Sequence, residues 1–91
     1  MNIKYKYIKV NDWTKVPKEG AFEVEYTSGS KEWWLDGQQH RIDGPAVECA
    51  SGSKAWYLNG KHYLTEKEYW LALLKHELIS KEEAFELCLS L

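Results

Sequence analysis

The chain has little of what a disulfide-built, fibrous or membrane-spanning protein needs. Its 91 residues include two cysteines, two prolines and one methionine. Cys49 and Cys88 are too few for a disulfide framework, and without a Cys-x-x-Cys spacing they offer neither a zinc nor a thiol-redox motif. Both read as reduced core residues. The longest unbroken apolar run, Tyr69 to Leu74, falls far short of the roughly 18 to 20 residues that span a bilayer. The opening Met1-Asn2-Ile3-Lys4-Tyr5-Lys6 lacks the apolar core of a signal peptide. A cytoplasmic protein with no membrane role is expected. The 12 Lys and Arg against 14 Asp and Glu leave a net charge of −2, which does not indicate a basic nucleic-acid domain. Lys4, Lys6 and Lys9, in the more basic amino-terminal stretch, read as solvated edge-strand charges that discourage sheet-to-sheet pairing. No nucleophile elbow, phosphate loop, His-Glu-x-x-His or paired-cysteine motif occurs, so no cofactor, no metal and no enzymatic activity are expected.

Aromatic residues are what the chain has in quantity: five Trp, six Tyr and two Phe. A domain this short buries only about 60 to 65% of its unfolded surface, so these rings must supply most of the core. A single domain over 1–91 is expected, with a strand and connection at 1–20, a sheet at 21–64 and helices at 65–91.

A repeat organises the middle. Val24-Glu25-Tyr26-Thr27-Ser28-Gly29-Ser30-Lys31-Glu32-Trp33-Trp34-Leu35-Asp36-Gly37 aligns without a gap on residues 47 to 60, Val47-Glu48 through Asn59-Gly60, with nine of fourteen positions identical at an offset of 23. Duplication of one supersecondary unit explains this. Gly20-Ala21-Phe22-Glu23-Val24-Glu25 loosely echoes Gly44-Pro45-Ala46-Val47-Glu48 as the end of a third copy. Ser-Gly-Ser provides one reversal in each unit, and Asp36-Gly37 or Asn59-Gly60 provides a two-residue type I′ hairpin. Strands are expected at 3–10, 21–27, 31–35, 38–42, 46–50, 54–58 and 61–64. Short connections imply an antiparallel meander.

The period then changes. Thr65-Glu66-Lys67-Glu68 is a capping box that opens a helix over 66–78, and Ser80-Lys81-Glu82-Glu83 opens a second over 81–90 with Ala84, Leu87, Cys88 and Leu91 on one stripe. The expected class is α+β: an antiparallel β-meander of two 23-residue hairpin repeats followed by two short carboxy-terminal helices. Apolar side chains on more than one side of the last helix, Leu87-Cys88-Leu89-Ser90-Leu91, point to a homo-oligomer.

Hairpin parity sorts the side chains. With Asp36-Gly37 as a two-residue turn, Leu35 faces Gln38, Trp34 faces Gln39 and Trp33 faces His40. One face collects Trp33, Leu35, His40, Ile42, Trp56, Leu58 and Tyr63 and should be core. The other collects Glu32, Trp34, Gln39, Arg41, Tyr57, His62 and Leu64. On that second face Trp34 and Tyr57 are either sheltered by the helices and by polar stems, or form a binding platform with Arg41, Gln39 and His62 as orienting donors. Glu23, Glu25 and Glu48 form an acidic group, of which Glu25 and Glu48, repeat equivalents on strands, would form a carboxylate row facing solvent or a basic partner. His40-Arg41-Ile42-Asp43 offers a base, a cation and a carboxylate, but a histidine that locks a turn is the expected role, with Asp43 before Gly44-Pro45 as a turn former.

Trp-x-x-x-Gly-x-x-His-Arg-x-Asp-Gly-Pro-Ala at 33–46 resembles the repeat of MORN-like proteins of phages, bacteria and giant viruses, and the likeness runs from 24 to about 70. The second copy departs from it after Gly60, where His62-Tyr63-Leu64 replaces the His-Arg-x-Asp block. The resemblance implies repeated β-hairpins used for binding. By its size it also implies a phage accessory protein working in the host cytoplasm. The expected function is that of a non-enzymatic anti-defence inhibitor bound to a host immune protein. Alternatives are a sponge for a nucleotide second messenger, with Arg41 or the amino-terminal lysines on phosphate, and a small hydrolase using His40 and Asp43.

Overall fold

The computed structural model describes residues 3–83 and 86. Seven strands appear in chain order, β1 (Lys6–Val10), β2 (Ala21–Tyr26), β3 (Lys31–Leu35), β4 (Gln38–Gln39), β5 (Val47–Glu48), β6 (Lys54–Leu58) and β7 (Lys61–Tyr63), with a 3-10 turn at Trp13–Lys15 and a helix, α1 (Glu66–Lys75). The fold is mixed α+β, and most strand pairs are antiparallel. The hairpin registers follow the turn chemistry: Leu35 lies opposite Gln38 and Trp34 opposite Gln39, while Leu58 lies opposite Lys61 and Tyr57 opposite His62. Asp36 and Gly37 have φ of 49° and 80°, and Asn59 and Gly60 have 49° and 81°. Positive φ at both central residues is what a type I′ turn requires, and asparagine, aspartate and glycine tolerate it best.

The expected all-antiparallel meander needs correction at its amino-terminal edge. The sheet order is β1-β2-β3-β5-β6-β7, with β4 also against β3, and β1 lies parallel to β2, Lys6 opposite Phe22 and Val10 opposite Tyr26. Parallel neighbours need a connection that returns across one face, and residues 11–20 provide it. Asp12 caps the 3-10 turn by accepting the Thr14 N–H at 2.8 Å. Val16 behind it is buried, as is Val24 on β2. Tyr26 shares the Val24 face by strand alternation, and the charge of Asp12 reaches its hydroxyl. The connection therefore lies over the Val24 side of the sheet.

Helix α1 lies on the other side. Thr65 is its N-cap, accepting the Glu68 N–H at 3.1 Å. Tyr69, Trp70, Ala72 and Leu73 form one buried cluster with Leu58, against which Ile42, Trp56, Tyr63, Leu78 and Ile79 pack. A ten-residue helix is marginal alone, and full burial of a large apolar side chain such as Leu73 contributes about 1.5–3 kcal/mol. The helix stops at Lys75, short of the expected 78, because the chain turns left-handed at Glu77 with φ 58°. The Leu78 N–H then bonds Leu73 C=O at 2.9 Å and the Glu77 N–H bonds Leu74 C=O at 3.0 Å, a Schellman closure. No glycine marks the position, which is why the sequence pattern overruns it. Lys81–Glu83 are helical, capped where Ser80 Oγ accepts the Glu83 N–H at 3.1 Å. The rest of the second helix's stripe, Ala84, Leu87, Cys88 and Leu91, lies outside the described residues, as does the 87–91 segment behind the expected self-association.

Candidate functional site

The expected strands 38–42 and 46–50 are in fact two short strands interrupted by an excursion. The Trp33 C=O accepts the His40 N–H at 3.0 Å, and the Trp33 N–H donates to Ala46 C=O at 2.8 Å. One residue of β3 thus spans the gap into which the segment from His40 to Ala46 loops out. Arg41 ties that loop together. Its Nε donates to Asp43 Oδ1 at 2.8 Å, and its Nη1 to Pro45 C=O at 3.0 Å and to Glu48 Oε2 at 3.2 Å. Its guanidinium also lies 3.8 Å from the centre of a Trp33 ring. Gly44 is buried beneath it, and a Cβ at Gly44 would come within 3.1 Å of Arg41 Cζ, so a larger residue there requires the guanidinium to give way.

This placement corrects the expected platform. Arg41 belongs to the Trp33 side, not to the face of Trp34, because simple alternation fails where the chain leaves the ladder. The other four residues share one face. Glu32 pairs with Val47 and Val47 with Ala55, which puts Trp34 and Tyr57 on the same side, with Gln39 and His62 as their cross-strand partners. Helix α1 does not shelter that side. The Tyr57 and His62 rings stack at 4.9 Å with 27° between planes, His62 is exposed, and Leu64 beyond them is 81% exposed. Trp34 is half-buried, and its indole N–H is committed to Glu32 Oε1 at 2.9 Å, an oxygen that also accepts from the Tyr26 hydroxyl at 2.8 Å. Burial, followed by that bond, pushes the Tyr26 hydroxyl well above its ordinary pKa. The outer row is thus tied down at its Trp34 end and free at its Tyr57–His62 end.

A second feature, absent from the sequence reading, opens on the opposite side. A cleft of about 570 Å³ is lined by Tyr5, Glu23, Trp33, Arg41 and Asp43 from the sheet side and by Leu78 and Ile79 beyond α1, among others. Tyr5 donates to His40 C=O at 2.9 Å; its hydroxyl is pushed up to about 12, chiefly by burial and then by the Asp43 charge. No local motif announces this cleft, since its walls come from parts of the chain more than 70 positions apart. Of the acidic group, Glu25 accepts from the Tyr7 hydroxyl at 2.5 Å and Glu48 from Arg41. Only Glu23 has no hydrogen-bonded side-chain partner among the described residues. Cys49, expected in the core, is exposed, because it stands at the mouth of a surface reversal where the Gly52 N–H bonds its C=O at 2.9 Å.

His40 is 5% exposed, and its Nδ1 accepts the Asn59 N–H at 2.9 Å. This bond fixes the neutral tautomer protonated on Nε2. Asp43 is turned to Arg41, so His40 and Asp43 share no hydrogen bond. Burial lowers the His40 pKa. Since the folded value lies below the unfolded value of about 6.5, the unfolded chain binds the proton first. Stability contributed by His40 is therefore present above about pH 6.5 and lost as pH falls through the interval down to the folded value. Urea midpoints are expected to drop between pH 7.5 and 5.5, and to drop less in His40→Gln; equal slopes in the two proteins would show that His40 does not titrate this way.

No three His, Cys, Asp or Glu side chains gather to hold a metal ion among the described residues. Nor is any described helix long and apolar enough to cross a membrane. Compared with family models, curated proteins and solved structures, the chain matches none.

Proposed function

We propose that this chain is a small non-enzymatic binding protein that engages a protein partner through the outer row of its sheet. The observation that carries the reading is the Tyr57–His62 stack, an aromatic pair on the face that α1 leaves uncovered, with its edge groups making no hydrogen bond among the described residues. Tyrosine presents a large rigid surface with a polar tip, the combination that dominates interface hot spots. The two-copy hairpin architecture belongs to the same proposal. In its support, the reversals at 28–30 and 51–53 close with the same bonds, Tyr26 N–H to Ser30 C=O and Cys49 N–H to Ser53 C=O, both at 2.8 Å. The resemblance of residues 33–46 to MORN-like repeats adds the biological role: a phage-type inhibitor occupying a host defence protein in the host cytoplasm. Sequestration of a nucleotide signal is the weaker reading. Arg41, its intended phosphate ligand, already commits Nε and Nη1 to Asp43, Pro45 and Glu48 and has its charge met by two carboxylates.

The test is affinity capture from bacterial lysate with three proteins. The wild type is expected to retain a specific partner. Tyr57→Ala with His62→Ala should lose it by tenfold or more, about 1.4 kcal/mol, while Leu71→Ala on the exposed face of α1 should keep it. Retention by the double variant would remove the outer row as the recognition surface. Trp34→Ala is the poorer probe, because it also takes from Glu32 one of its two donors.

A further inference from the structure

The cleft on the Trp33 side carries a chemistry unlike that of the outer row. Ile3, Ile42, Leu78 and Ile79 line it with aliphatic surface, and Glu23 and Glu83 bring carboxylates to it. Neither of these two carboxylates has an ion-pair partner among the described residues. The one cation present, Arg41, is neutralised in place by Asp43 at 2.8 Å and Glu48 at 3.2 Å. The described lining carries three carboxylates, Glu23, Asp43 and Glu83, against one guanidinium, and around Tyr5 the raising effect of Asp43 outranks the lowering effect of Arg41. An anion or phosphate is therefore repelled. A purely apolar ligand would leave Glu23 desolvated without compensation.

We propose that this cleft is a second binding site, distinct from the outer row, for an arginine or lysine side chain flanked by aliphatic residues on a partner protein. The aliphatic stem of such a side chain covers Ile42, Leu78 and Ile79 while its head reaches the carboxylates, the division of labour long basic side chains adopt at surfaces. Glu23 sits beside Trp33 on the sheet, directly opposite it across β2 and β3. It thus holds a carboxylate at the wall, beside an indole that Arg41 already covers, so the incoming basic head is met by charge and its stem by aliphatic surface. The volume of about 570 Å³ lies in the range of ligand pockets, about 300–1,000 Å³, and suits one basic side chain with its two neighbours.

The probe is a capped tripeptide of isoleucine, arginine and isoleucine, titrated into the full chain while nitrogen-15 spectra follow the Trp33 indole. The expected result is a saturable shift confined to the cleft, weakened about tenfold between low and high salt as screening requires. Glu23→Gln and Glu83→Gln are expected to weaken it several-fold each, with spectra that otherwise report an intact fold; neither carboxylate makes a hydrogen bond or ion pair among the described residues, and glutamine keeps the size of the side chain. Tyr57→Ala with His62→Ala should bind the peptide as the wild type does, which separates this site from the outer row. The proposal is overturned if the citrulline version of the peptide binds equally well or if Glu23→Gln leaves the affinity unchanged. It is likewise overturned if spermidine, which has the charge without a peptide, binds as tightly.

Discussion

Tyr69→Ala is expected to cost about 3–5 kcal/mol of folding stability, the range for truncating a fully buried aromatic ring. Tyr69 is 0% exposed. Its ring meets Trp70 edge-on at 4.9 Å and Tyr63 at 6.4 Å, which joins α1 to the last hairpin. Its hydroxyl donates to Arg41 C=O, which joins α1 to the excursion loop as well. One side chain therefore holds three segments that share no continuous backbone ladder. A domain of this size has about 5–10 kcal/mol in total, so the alanine variant should lose about half of its stability, as a lowered urea midpoint followed by tryptophan emission would show. Tyr69→Phe separates the two roles. It keeps the ring and leaves one carbonyl without its donor, at a cost of about 1–2 kcal/mol. An alanine variant within 1 kcal/mol of wild type would mean that α1 is held elsewhere.

How much of this was legible depends on how local the cause is. Asp36-Gly37 and Asn59-Gly60 announce their turns because the residues themselves tolerate positive φ. Those turns set the register of Trp34 with Gln39 and of Tyr57 with His62, so the face shared by those four residues follows from the sequence alone. Thr65 and Glu68 announce the start of α1 in the same way. The parallel seat of β1 has no such signal: nothing in residues 11–20 distinguishes a crossover from a loop, and the pairing of Lys6 with Phe22 is decided at long range. Arg41 departs from its expected face for a related reason. Alternation is a valid rule only while the ladder is continuous, and the chain leaves the ladder at His40 to rejoin it at Ala46. The acidic cleft is less legible still, being a meeting of Ile3, Glu23 and Leu78 that only the assembled fold creates.

The His-Arg-x-Asp-Gly-Pro-Ala stretch invites a reading as a binding motif, but its arginine faces inward on its own loop, and this yields the second large prediction. Arg41→Ala is expected to destabilise the chain by about 2–3 kcal/mol, the range for hydrogen bonds made by a charged group. The side chain is only 19% exposed, so its bonds are better shielded than those of an ordinary surface pair. The contributions are unequal. Asp43 is 76% exposed, and a pair so wet is worth about 0–1 kcal/mol, so Asp43→Asn should cost under about 0.5 kcal/mol. The larger share comes from the guanidinium over the Trp33 ring at 3.8 Å and from Nη1, which serves Pro45 C=O and Glu48 together. A lysine has one compact head and cannot lie flat on the indole while reaching both acceptors, so Arg41→Lys should recover less than half of the loss. The expected order of urea midpoints is wild type, Asp43→Asn, Arg41→Lys, Arg41→Ala. Trp33, uncovered in the alanine variant, should shift its emission to the red. An alanine variant as stable as wild type would mean that the excursion is held by His40 and Tyr69 alone, and Arg41 would then be free to serve a ligand after all.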